Sequence, residues 1–178
     1  MHSFLNDKVK VITGDITTQT VDVIVNAANS SLMGGGGVDG AIHRAGGSAI
    51  LDECKLIRKN RYPGGLPTGE AVITSAGNIK AKGIIHTVGP IYSKDRAPEK
   101  SLANCYINSL KLLTAHKYKS IAFPAISTGV FGYPAGQAAK VVSTTIKREL
   151  ENFPYIELIL LVFFSEQDTK TFLDNQEF

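Results

Sequence analysis

Residues 21–47 read VDVIVNAANSSLMGGGGVDGAIHRAGG, and the order of residue types in that stretch decides the fold class. An apolar, β-branched run, Val21–Asn26, reads as a strand, and Val38–Ala45 reads as a short helix. Asn26 ends the strand, Asn29 and four consecutive glycines at 34–37 lie between the two elements, and Asp39 opens the helix. Glycine loses more conformational entropy on ordering than any other residue, so such a run destabilises unless its backbone is needed. A flexible linker would account for the glycines, but not for a strand before them and a helix after them. Strand, loop and helix in that order form the unit from which α/β sheets are built.

The 178-residue chain has room for one domain, residues 1–178, with a proper buried core and little space for a second. Hydrophobic residues make up 43% and charged residues 20%, globular proportions that exclude a disordered chain. A net charge of +3 does not by itself point to nucleic acid. The densest basic stretch, RKNR at 58–61, reads as a solvated helix end. Cys54 and Cys105 sit apart in helix-like segments without a CxxC pattern, so buried free thiols are expected. The N-terminal MHSFLNDKVK lacks the apolar segment of a signal peptide. LILLVFF at 158–164 is too short to span a bilayer. A cytoplasmic protein without membrane association is expected, and with no heptad or apolar stripe to announce an interface, a monomer.

Strand-like runs recur at Val9–Thr13, Val21–Asn26, Ala71–Ser75, Gly83–Val88, Ser120–Pro124 and Ile156–Phe164. Helical patterns fall between them at Ser48–Lys59, Lys100–His116 and Ala135–Asn152, with a short last helix at Thr169–Asn175. VDVIVNA and IAFPAIS are continuously apolar, as strands covered on both faces are. The two strands within Ala71–Val88 are joined through GNIKAKG, too short for a crossover helix, so that pair is expected to be antiparallel. The expectation is an α/β fold, a three-layer α/β/α sandwich around a mixed, mostly parallel six-stranded sheet.

Ligands of open α/β sheets bind beyond the carboxyl ends of the strands. Three loops there carry unusual chemistry: GDIT (14–17), the glycine-rich stretch at 34–37, and STGVFGYP (127–134). Glycine lets backbone N–H groups approach an anion, and a following helix N-terminus supplies partial positive charge, so the two glycine-bearing loops suit two phosphates. Neither is GxGxxG or GxxxxGK[ST]. Asp15 at a strand end suits either capping of a short helix or acceptance from an amino group. Asp39 occupies a common capping position but faces whatever the glycines cradle. His43 lies one helical turn further on the same face. AISTG at 125–129 lacks the first glycine of a nucleophile elbow, and no histidine follows it. The four histidines and two cysteines have no metal-ligand or activating pattern, so no metal and no catalytic thiol is expected.

Taken together, GDIT, VDVIVNAANSSLMGGGGVDGAIHRAGG, PTGEAVITSAGN, IIHTVGP and FPAISTGVFGYP resemble the macrodomain family, and most closely its MacroD-type branch with the bacterial O-acetyl-ADP-ribose deacetylases. The resemblance runs in order from Val9 to Phe164. It implies a macrodomain sandwich that binds ADP-ribose in the crevice inferred above, with no cofactor. Carried over by position, Asp15 accepts from the adenine amino group beside the Ile16 backbone, and Phe164 stacks on the adenine. Ser127, Thr128, Gly129, Val130 and Phe131 wrap the diphosphate, with Gly37 and Val38 opposite. Asn29 and Asp39 match the pair that contacts the distal ribose in catalytic relatives, and Asn26 supports that loop.

The activity this implies is hydrolysis of an ester on the distal ribose, in O-acetyl-ADP-ribose or in ADP-ribose attached to a protein Asp or Glu. The partners implied are therefore ADP-ribose, its acetyl ester and ADP-ribosylated proteins. Phe131 stands where some relatives have tyrosine, and Ser165 where some have an acid. A non-catalytic reader of ADP-ribose or its polymer is the alternative, although readers commonly depart from the Asn29, glycine and Asp39 arrangement kept here. An RNA-related role draws no support from the charge.

Overall fold

The computed structural model describes residues 1–178. Its strands are β1 (His2–Phe4), β2 (Val9–Thr13), β3 (Val23–Ala28), β4 (Ala71–Thr74), β5 (Gly83–Val88), β6 (Ser120–Phe123) and β7 (Leu158–Phe163). Its helices are α1 (Gly37–Gly46), α2 (Ser48–Asn60), α3 (Pro98–Ala115), α4 (Ala135–Asn152) and α5 (Glu166–Asn175), with a 3-10 turn at Ile16–Thr18. Successive strand residues point to opposite faces, and here both faces are covered. Val23, Val25, Ile121, Phe123, Ile159 and Leu161 join a core with α3, α4 and α5. Ile24, Ile84, Ala122, Leu160 and Val162 join a second core with Ile42 of α1 and Ile50 and Cys54 of α2. That alternation makes the central strands continuously apolar and gives three layers.

The strands pair in the order β1-β2-β7-β6-β3-β5-β4. The five inner strands run parallel, while β1 and β4 join antiparallel at the two edges. The sheet thus has seven strands, one more than the six expected. The additional β1 is three residues long, mostly exposed, and reaches β2 through Leu5, Asn6 and Asp7 with φ of 51°, 56° and 64°. Asn and Asp tolerate this left-handed region but leucine does not favour it, so the reversal leaves little trace in the sequence.

Two boundary differences bear on function. β3 runs on to Ala28, which places Asn26 inside the sheet and opposite His86 of β5. α5 starts three residues earlier than the apolar pattern suggests, because the Ser165 hydroxyl accepts from the Asp168 N–H at 3.1 Å and caps it. All five parallel strands end on the same side, so the segments after β2, β3, β5, β6 and β7 meet around one crevice.

Candidate active site

At one end of the crevice, the tips of β2 and β7 are in register, Thr13 opposite Phe163, and Gly14 N–H donates to the Phe163 carbonyl at 2.9 Å. Asp15 caps the 3-10 turn, its Oδ1 accepting from Thr17 N–H at 2.9 Å and from Thr17 Oγ1 at 2.7 Å. Its Oδ2 accepts from no protein group, so the capping role leaves an acceptor over. Ile16, the next residue, is buried. Phe163 packs on Phe172 in the core, but Phe164, which follows it at the same paired strand ends as Asp15, is 90% exposed and offers a bare ring face. A planar base with an exocyclic amino group fits such a pair.

In the middle of the crevice stand two rows of unused donors. None of the backbone N–H groups of Ser127, Thr128, Gly129, Val130 and Phe131 donates to a protein acceptor. The same is true from Gly34 through Asp39, where α1 begins at Gly37, after Gly36 at its N-cap, without any side-chain cap. Open donor rows that lead into helices α1 and α4 form concavities suited to anions. The 127–131 loop is held from below. Ser127 has φ of 66° and is buried, and its carbonyl accepts from Tyr133 N–H at 2.9 Å. Gly89, after β5, passes so close that a Cβ there would lie 2.1 Å from Ser127 Oγ. Phe131, which is half-buried, is tied through its carbonyl to Tyr92 N–H at 2.9 Å, while Val130 is fully exposed. Gly37 is exposed and Val38 half-buried on the opposite wall.

The far end holds the candidate chemistry. Asp39 is 5% exposed and does not cap α1; instead its Oδ1 accepts from Asn26 Nδ2 at 2.7 Å. His43 Nε2 lies 3.4 Å from the same oxygen, too poorly aligned for a hydrogen bond. Asp39 Oδ2 accepts from no protein donor and faces the space over Gly35, which Asn29 Nδ2 also faces. Asn29 closes its own loop: Oδ1 accepts from Ser31 N–H at 3.1 Å and from the Ser31 hydroxyl, and Nδ2 donates to the Gly34 carbonyl at 3.1 Å. One amide hydrogen of Asn29 is left over, so it can donate into the crevice but not readily accept. An acceptor and a donor therefore converge at the end of the two donor rows.

Behind Asp39 lies a buried polar row that spacing in the sequence does not reveal. Asn26 Nδ2 also meets His86 Nδ1 at 3.1 Å, and His86 Nε2 meets Thr74 Oγ1 at 3.0 Å. Burial, with His43 adding to it, pushes the His86 pKa down to about 3, so the ring is neutral at ordinary pH. Asn26 is fully buried, yet its Oδ1 has no partner, a loss of about 1–3 kcal/mol.

Arg58 is also not the solvated charge expected of RKNR. Its guanidinium donates to the carbonyls of Ser31 at 2.7 Å, Tyr62 at 2.9 Å and Pro63 at 3.0 Å, and so anchors the Asn29 loop to α2. Cys54 and Cys105 are free and buried. Burial, helped by Asp39 and Glu53, lifts Cys54 to about 12, and burial lifts Cys105 to about 11, so neither is a nucleophile at neutral pH. No three His, Cys, Asp or Glu side chains stand together as a metal site. No helix is long and apolar enough to cross a membrane.

This geometry has known counterparts. The Macro domain family matches residues 25–142. The chain is 54% identical over 159 residues to the O-acetyl-ADP-ribose deacetylase of Klebsiella pneumoniae, covering 89% of this chain and 90% of that protein. It is 48% identical over 165 residues to the O-acetyl-ADP-ribose deacetylase of Escherichia coli, covering 92% of each. Among solved structures, the Oceanobacillus iheyensis macrodomain with ADP superposes with a TM-score of 0.91 at 47% identity, over 94% of this chain and 88% of that one. The Trypanosoma brucei macrodomain in complex with ADP-ribose gives 0.85 at 34% identity, over 94% and 68%. Sequence, topology and crevice agree, and the chain belongs to the macro domain family.

Proposed function

We propose that the protein binds ADP-ribose along the crevice and hydrolyses an ester on its distal ribose. O-acetyl-ADP-ribose is the small-molecule substrate, giving ADP-ribose and acetate. Proteins carrying mono-ADP-ribose on Asp or Glu are the second class, because a carboxylic ester of the distal ribose joins them as well. The observation that carries this reading is the placement of Asp39: buried, tied on one oxygen, and free on the other at the end of two rows of open N–H donors. Relatives at about half identity are named O-acetyl-ADP-ribose deacetylase, which supports the same chemistry.

In this reading Phe164 and Asp15 take the adenine, the 127–131 and 34–39 loops take the diphosphate, and the distal ribose lies over Gly35. A water between Asp39 Oδ2 and the ester attacks the carbonyl carbon, and its proton passes to Asp39. The free Asn29 N–H donates to the oxygen that gains charge. The tetrahedral adduct collapses with loss of the ribose oxygen, which takes the proton back, leaving the acid and a free hydroxyl. Phe131 contributes a wall that shields the water but no hydroxyl.

The test is turnover of two substrates by the intact protein: acetate release from O-acetyl-ADP-ribose, and release of ADP-ribose from a peptide modified on Glu. Hydrolysis of both supports the reading. Turnover of the acetyl ester alone removes proteins from the substrate class. Tight ADP-ribose binding with neither turnover makes the protein a reader.

A further inference from the structure

We infer that His86 is a positioning residue for this hydrolysis: held between Thr74 and Asn26 with its hydrogen on Nε2, it locks the Asn26 amide so that Asn26 presents an N–H to Asp39. The inference rests on the reading of Asp39 as the group that handles the attacking water.

The sheet register makes the row possible. Asn26 of β3 and His86 of β5 are Cα partners, and His86 faces Val72 of β4 on its other side. Thr74 lies two residues beyond Val72 and so shares its face. Three adjacent strands therefore present Asn26, His86 and Thr74 side by side toward α1 and α2, where Ile24, Ile84 and Val72 of the same strands are buried. Asp39 and His43 of α1 and Cys54 of α2 close over them, Cys54 Sγ standing 3.8 Å from His86 Nε2.

One assignment of hydrogens is consistent with every bond in the row. A carboxylate only accepts, so Asn26 must turn its Nδ2 toward Asp39 Oδ1. The second hydrogen of that amide nitrogen reaches His86 Nδ1, which must then be bare. The ring hydrogen is on Nε2 and goes to Thr74 Oγ1, whose own hydrogen goes to the Ser75 carbonyl at 2.9 Å. The direction of every bond is fixed from the Ser75 backbone through to Asp39.

The orphaned Asn26 Oδ1 is the mark of that constraint. Half a turn of the amide would point the carbonyl at Asp39 and at a bare ring nitrogen, losing both bonds. With His86 as an acceptor, the amide has one orientation and Asp39 Oδ1 is held inward, leaving Oδ2 toward the substrate space. Without that acceptor, the amide is free to turn and Asp39 loses its donor. Burial and His43 keep His86 uncharged, so the row does not invert across the neutral range.

Two readouts test this on the whole chain. Long-range proton–nitrogen NMR is expected to show His86 in the Nε2-protonated form without titration from about pH 5 to about pH 8. In kinetics, His86→Leu is expected to lower kcat about tenfold to a hundredfold. KM and the ADP-ribose Kd should stay within about threefold. His86→Asn can place its amide oxygen where Nδ1 stood, and is expected to recover most of kcat. Thr74→Val removes the partner of Nε2–H, and should give mixed tautomers and an intermediate kcat; it decides the matter together with the spectrum if His86→Leu does not fold. A ring protonated on Nδ1, an undiminished kcat in His86→Leu, or equal losses in binding and kcat would overturn the inference. Asp39→Ala separates the two layers. Full turnover there sinks the reading of Asp39, whereas a dead Asp39→Ala beside a fully active His86→Leu sinks the relay alone.

Discussion

Replacing Gly89 by alanine tests whether the 127–131 loop is a preset cradle. A Cβ at Gly89 would lie 2.1 Å from Ser127 Oγ and 2.6 Å from Ile126 Cγ2, both far inside van der Waals contact. Ser127 cannot give way freely, since it is buried, holds a positive φ and accepts from Tyr133 N–H. Overpacking of this kind costs about 1–3 kcal/mol. In a chain of this size each kcal/mol lowers Tm by roughly 2–4 °C. The larger effect falls on the ligand. Displacing the loop spoils at least one charge-assisted bond to phosphate, worth about 1.5–3 kcal/mol. ADP-ribose should therefore bind roughly tenfold to a hundredfold more weakly by titration calorimetry. Adding Ser127→Gly removes the clashing hydroxyl and suits the left-handed backbone, so the double variant should regain part of the loss. A Gly89→Ala protein with unchanged Tm and unchanged Kd would refute the claim that the loop is set from beneath.

Other perturbations separate binding, loop anchoring and burial. Phe164→Ala removes an exposed ring, so Tm should hold while ADP-ribose affinity falls by about the 1–3 kcal/mol of a stacked base, read by calorimetry. Arg58→Ala frees three backbone carbonyls around the Asn29 loop; both denaturant stability and kcat should fall, and a change confined to stability would detach Arg58 from the site. The pH dependence follows from His86, whose pKa drops from 6.5 when free to about 3 in the fold. Below the free value the unfolded chain binds a proton that the folded chain does not, so this group subtracts stability as pH falls from about 6.5 toward about 3. The slope approaches about 1.4 kcal/mol per pH unit, and His86→Asn should flatten it in urea titrations at several pH values.

The parts of the site that were legible in the sequence are those written in local residue order. Glycines after a strand and before a helix announce open backbone donors, and an aromatic or an acid at a strand tip announces itself. The buried row was not legible for a different reason. Asn26 and His86 are sixty positions apart and meet only through the parallel register of β3 and β5. Reading the strand as Val21–Asn26 leaves Asn26 at its last position, when pairing with β5 carries the strand on to Ala28. Arg58 escaped notice because its partners are carbonyls, which no side-chain pattern records. β1 escaped because it is three mostly exposed residues with no apolar run, and its reversal begins at a left-handed leucine.

The central claim is that Asp39 carries the chemistry while the loops carry the binding. The most direct measurement is acetate release from O-acetyl-ADP-ribose by wild type and Asp39→Asn, each with its ADP-ribose Kd determined on the same sample. The asparagine keeps the shape, though it can no longer take a proton from water. The account predicts a loss of at least about a hundredfold in kcat, within the usual contribution of a general base. Kd should change little. Wild-type turnover that persists in Asp39→Asn, with binding intact, would contradict the account and move the chemistry elsewhere in the crevice.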